Sequence, residues 1–218
     1  ADAVLKFAKD NNYQVRGPIL VTHATPSWFF TKSFSKDQIE TTVDDKGNET
    51  ETLEFASADV MRARMDNLVK DIITYCNTNY PGVVVSWDVV DDPINSADRH
   101  EKKYRESSNW YQTLGEDYMY EAFALADKYA TKEQKLFVAQ EAIHEKNTRE
   151  PFVELINLFK ENCRIDGIAV QTHYTATAPN VFDLEDMFKA MTDTGLEIQL
   201  TEFYVNSKVG ANEDYEKT

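Results

Sequence analysis

The sequence predicts an α/β protein built as a parallel (β/α)8 barrel, and three observations predict it. First, five short, near-continuously apolar runs recur along the 218 residues: VRGPILVTH (15–23), GVVVSWDVV (82–90), KLFVAQ (135–140), DGIAVQTH (166–173) and LEIQLTEF (196–203). Strands buried on both faces of a parallel sheet read this way. Second, helical patterns lie between the runs, and strict alternation of strand and helix implies parallel strands joined by right-handed crossovers. Third, the last two repeats are each about 30 residues long, close to the repeat of such a barrel. An open doubly wound sheet is the alternative, but neither GxGxxG nor GxxxxGKS/T occurs to bind phosphate.

Each element follows in order. The opening ADAVLKFAKDNN reads as the end of a helix, so the start reads as lying inside a domain and the compartment is not legible from it. The run 15–23 is the first strand. The polar stretch TTVDDKGNETETLEF (41–55), with its KGN turn, predicts an exposed loop or small hairpin within the same domain. SADVMRARMDNLVKDIITYC (57–76) carries Val60, Met61, Met65, Leu68, Val69, Ile72 and Ile73 on one helical stripe. EDYMYEAFALADKYA and EPFVELINLFKENC repeat that pattern. DLEDMFKAMTDTG opens on acidic residues and stops at Gly195. Residues 1–218 are read as a single barrel domain.

Composition narrows the partners. A formal net charge of −15 opposes binding to a nucleic-acid backbone and leaves small molecules or neutral polymers. No run of about 18 apolar residues is present to span a membrane. The 2 cysteines, Cys76 and Cys163, both fall in helical patterns, so buried free thiols are expected rather than a disulfide framework.

A barrel carries its chemistry at the C-terminal ends of its strands. Reading those ends gives Thr22 and His23, Asp91 and Asp92, Gln140 and Glu141, Gln171 and His173, and Glu202. Polar residues at all five ends suggest a site rather than scattered caps. Asp91, Asp92, Glu141 and Glu202 are the candidate catalytic carboxylates. Thr22, His23, Trp87, Gln140, Gln171, His173 and Tyr204 are candidates for substrate contact. No ligand spacing marks a metal site, although His23, Glu141, His144 and His173 form a conceivable set. No cofactor is expected.

Four motifs carry a resemblance. RGPILVTHATPSWFF is similar to RGHTLVWH followed by TPxWFF, SWDVVDDPIN to WDVVNEAxN, GIAVQTHY to GIGxQSH or GIGxQTH, and EIQLTEF to a strand ending in TE. In order and spacing the chain resembles glycoside hydrolase family 10, the retaining endo-β-1,4-xylanases. The resemblance implies that strands three to seven of the barrel are here, with two before and one after. It implies a monomer if the barrel is complete, Glu202 as nucleophile with His173 beside it, and xylo-oligosaccharides as ligands.

It also marks departures. Asp91-Asp92 stands where the family has Asn-Glu. Asp92 is one methylene short, which withdraws the acid/base carboxyl by about 1.5 Å, and a misplacement of about 1 Å costs on the order of 100-fold. Asp91 cannot donate to sugar when ionised. Pro18, Thr22, Ala139, Gln140, Glu141, Ala142, Ala169 and Tyr204 differ from the family pattern as well. Together with Val138, the apolar replacements predict a smaller, less polar cavity. One reading is a xylanase scaffold with a rebuilt pocket, engineered for proton abstraction from a flat aromatic substrate, as in Kemp elimination. There a buried carboxylate is the base and Trp87 or Tyr204 the wall. The alternative is a divergent xylanase that binds xylo-oligosaccharides and hydrolyses them poorly.

Overall fold

The computed structural model describes residues 2–96 and 103–206. Its elements are α1 (Asp2–Asp10), β1 (Val15–Arg16), β2 (Ile39–Val43), β3 (Glu49–Leu53), α2 (Ala58–Asn79), β4 (Val84–Asp91), α3 (Asn109–Leu114), α4 (Asp117–Tyr129), β5 (Lys135–Gln140), α5 (Lys146–Asn162), β6 (Gly167–Thr175), α6 (Val181–Asp193) and β7 (Glu197–Asn206). Strands β1-β4-β5-β6-β7 form one sheet in that order, and every pair is parallel. The polar stretch around 41–55 is the antiparallel hairpin β2–β3. None of the described helices is long and apolar enough to cross a membrane. Cys76 and Cys163 are both free.

The sheet is curled, and one side-chain pair demonstrates it. Arg16 on β1 hydrogen-bonds Gln199 on β7, although these strands are the two edges of the sheet. Laid flat, four strand spacings would separate them by roughly 19 Å, beyond the reach of two side chains. The concave face therefore turns inward, as in a barrel wall. Arg16 also pairs with Asp88 (Nε to Oδ2, 2.9 Å), and its guanidinium lies 4.4 Å from the centre of the Phe137 ring. Phe137, Ala139 and Ala169 form a small apolar cluster of their own, separate from the main core.

The main core lies between the convex face and the helices. Met61, Met65, Val69, Ile73 and Cys76 make the buried stripe of α2, whose N-cap Ser57 accepts from the Val60 N–H. Val138, Ile168 and Val170 alternate with the inward residues and pack into this layer. Asn180 caps α6 by accepting from two backbone N–H groups, and Gly195 ends that segment at φ +74°, a conformation that favours glycine.

Two boundaries differ from expectation. The first strand is broken: only Val15–Arg16 form a ladder, and Val21 rejoins as a single bridge to Val90. Pro18 has no N–H to donate. Gly17 is needed because a Cβ there would stand 2.4 Å from the Trp87 ring. Helix α5 begins at Lys146, so Pro151 lies inside it rather than opening it.

Candidate active site

The strand ends are built by bulges that periodicity alone does not reveal. Along β4, Asp88 pairs with Phe137 but Val90 pairs with Val138, so β4 holds one extra residue there. Without it, Asp88 and Asp91 would face opposite sides of the sheet; with it, both face inward. Along β7, Gln171 pairs with Thr201 and His173 with Tyr204, again one residue in excess, around Glu202. Asp92 (φ +46°), Ala142 (φ +52°) and Glu202 (φ +50°) are all left-handed, three of five such non-glycine residues among those described. Backbone strain of this kind gathers at functional sites.

Asp91 is buried and fully engaged. Thr22 Oγ1 donates to its Oδ2 at 2.8 Å, Gln171 Nε2 donates to its Oδ1 at 2.7 Å, and His23 Nδ1 lies 3.4 Å from Oδ2. Burial pushes its carboxyl up, but the hydrogen bonds from His23, Thr22 and Gln171 outweigh it and hold Asp91 below the usual range. Asp91 is thus held as a fixed anion.

Asp92 is the opposite case. It is only 4% exposed. Burial first, then the neighbouring charge of Asp91, pushes its carboxyl up to about 7. The Glu141 N–H donates to Oδ1 at 2.7 Å. Arg105 Nη2 lies 3.5 Å from Oδ2 and 3.3 Å from Glu141 Oε1, so one guanidinium serves both carboxylates. Arg105 Nε also donates to the Asp92 carbonyl at 2.9 Å, and Ser96 donates to Glu141. Glu141 adds a further repulsive charge beside Asp92, and Arg105 opposes it.

On the other side, His173 Nε2 and Glu202 Oε2 are 2.8 Å apart, and the Tyr204 ring stacks on His173 at 4.9 Å.

Several expectations need correction. Trp87 is no substrate wall: it is fully buried against Gly17 in the main core. Gln140 is no free donor: its Oε1 accepts from the Ile94 N–H at 2.9 Å and its Nε2 donates to the Ile94 and Glu141 carbonyls. Its amide pins the loop after β4. Two of the residues named for an apolar cavity face elsewhere. Val138 faces the helices, and Pro18 lines an outer groove with Val4, Leu5 and Ile72. His144 and His173 do not join His23 in a metal-binding group; His144 packs against Tyr174.

Sequence reasoning missed Arg105. Its loop carries no strand-end pattern. The available signal was charge: three carboxylates expected at adjoining strand ends call for a cation among them. It also missed a cleft of about 630 Å³ running from His23 past Thr25, Trp28 and Asn109 to Ile39, Thr41 and Glu51 of the hairpin.

Comparison with known proteins agrees with this architecture. The chain is 31% identical over 204 residues to endo-1,4-beta-xylanase A of Halalkalibacterium halodurans, covering 93% of this chain and 48% of that protein. It is 30% identical over 200 residues to endo-1,4-beta-xylanase B of Butyrivibrio fibrisolvens, covering 91% and 28%. The chain thus spans half or less of these two relatives. The crystal structure of an endo-1,4-beta-xylanase from Caldicellulosiruptor owensensis superposes with a TM-score of 0.73 at 30% identity, over 94% of this chain and 55% of that one. An intracellular xylanase from Thermoanaerobacterium saccharolyticum, solved as a mutant with xylotriose, shares the fold with a TM-score of 0.82 at 24% identity, covering 98% and 60%. The curled parallel sheet with its alternating helices is therefore part of a (β/α)8 barrel. The family model of glycosyl hydrolase family 10 matches residues 1–218, and the chain belongs to that family.

Proposed function

We propose that the protein binds xylo-oligosaccharides along the cleft beside His23 and Trp28 and cleaves them slowly by a retaining mechanism. Asp92 is the general acid/base and Glu202 the nucleophile. The observation that carries this reading is the state of Asp92. A general acid must hold its proton near the working pH, and burial beside Asp91 lifts this carboxyl to about 7. Glu202, oriented by His173, supplies the second carboxylate that a retaining glycosidase needs. The rate is low because Asp92 reaches about 1.5 Å less far than a glutamate would. The xylotriose complex of the Thermoanaerobacterium relative supports the ligand class. Calorimetric titration with xylotetraose, followed by product analysis, tests it. Saturable binding with slow cleavage, lost in Glu202→Gln, is expected. Absence of binding would overturn it.

A second reading is favoured by the same shift. A carboxylate with a raised pKa is a stronger base, and Phe137, Ala139 and Ala169 form a buried apolar cluster on the concave face. Asp92 would then abstract a proton from carbon in a flat aromatic substrate, as in ring opening of a benzisoxazole. The rate should rise with pH through one ionisation near 7, because only the deprotonated form acts, and Asp92→Asn should remove it. A rate no higher than that of free carboxylate in solution would dismiss this reading.

A further inference from the structure

We propose that His23, Asp91 and Asp92 form a binding site for a divalent transition-metal ion of the zinc type. One ligand atom from each lies within 4.8 Å of the other two. His23 Nδ1 stands 3.4 Å from Asp91 Oδ2 and 4.0 Å from Asp92 Oδ2. Ligands at 2.0–2.2 Å around a tetrahedral ion lie roughly 3.4 Å from one another. The first pair already meets that spacing, and the second needs a closure of about half an ångström, within the range of a small χ rotation. The imidazole separates this set from an ordinary acidic patch, because nitrogen selects transition metals over calcium or magnesium.

The surroundings fit a cation. Asp92 and Glu141 share the guanidinium of Arg105, and Asp91 adds a third carboxylate with no arginine or lysine ion pair among the described residues. A divalent ion would balance the remainder. The ion would take Asp92 Oδ2 from Arg105, which stays anchored by Glu141 and by the Asp92 carbonyl. The remaining Asp oxygens are already oriented: Gln171 holds Asp91 Oδ1, and the Glu141 N–H holds Asp92 Oδ1. Such outer contacts fix ligand geometry. His23 is 35% exposed, which leaves an entry path and an open coordination position. The inference does not rest on the proposed hydrolysis, and an ion on Asp92 would exclude the proton that a general acid carries.

Isothermal titration of the purified protein with zinc chloride tests it, with circular dichroism confirming that each variant is folded. One saturable site is expected. His23→Ala should abolish it, Gln171→Met should weaken it about 10-fold through loss of the contact to Asp91, and His144→Ala should leave it unchanged. Absence of saturable binding overturns the proposal. So does equal affinity in His23→Ala and the parent, or loss of binding only in His144→Ala, since either places the metal elsewhere.

Discussion

Asp92 and Glu202 sit at corresponding places in the barrel, and their surroundings differ in every respect. Asp92 directly follows β4 and Glu202 lies within β7 at its bulge, and both are left-handed. Asp92 is closed in by Arg105, Glu141 and the loop that Gln140 pins. Glu202 lies on β7, with His173 as its one close ion-pair partner among the described residues. Burial makes the first a group whose proton affinity is set by its neighbours. The second is oriented by its contact with His173. Substitutions on the Asp92 side should therefore register in stability and pH dependence, and those on the Glu202 side mainly in activity.

The largest stability effect should come from Gln140→Ala. It strips both Ile94 backbone groups of their partner and opens space at a fully buried position. A loss of about 3 kcal/mol in urea unfolding is expected; a loss under about 1 kcal/mol would mean the amide is not pinning the loop.

Next comes Asp92→Asn, read against pH. A carboxyl whose folded pKa is raised to about 7 binds its proton more tightly in the folded state. Stability in the parent should then fall as pH rises from about 4 to about 7. Asp91, held low, contributes the opposite slope, with stability lost as pH falls below the usual carboxylate range. Asp92→Asn should flatten the neutral part of the profile and make the protein more stable than the parent above pH 7. Parallel profiles for the two proteins would show that Asp92 is not perturbed.

The smallest stability effect belongs to His173→Ala. A half-exposed ion pair contributes about 1 kcal/mol or less, so unfolding should barely move while turnover of xylotetraose drops. A large stability loss with unchanged turnover would reverse the contrast between the two sides.

The sequence made the scaffold legible and the chemistry of individual strand ends much less so. Apolar runs and helical stripes report burial, and burial decides the layers; hence the alternation, the hairpin and the convex core were readable. Broken pairing at Gly17-Pro18 was not, because an apolar run looks the same whether or not its ladder continues. The two bulges decide which side chains face inward, and a one-residue excess leaves no mark on composition. Trp87 shows the cost: it lies four residues before Asp91 in the sequence, yet it packs in the core. Gln140 likewise looked like a strand-end substrate contact, and only the positions of Ile94 and Glu141 reveal that its amide is already used.

The measurement closest to the central claim is hydrolysis of xylotetraose by the parent, Asp92→Glu and Glu202→Gln, followed by chromatography. If Asp92 is a shortened acid/base opposite a competent nucleophile, the parent cleaves slowly and Asp92→Glu cleaves faster, by up to about 100-fold. It should still fall short of an ordinary family enzyme, because an ionised Asp91 cannot donate a hydrogen bond to a sugar hydroxyl. Glu202→Gln should be inactive. A parent already as fast as its xylanase relatives, or an Asp92→Glu variant no faster while Glu202→Gln retains activity, would contradict the account.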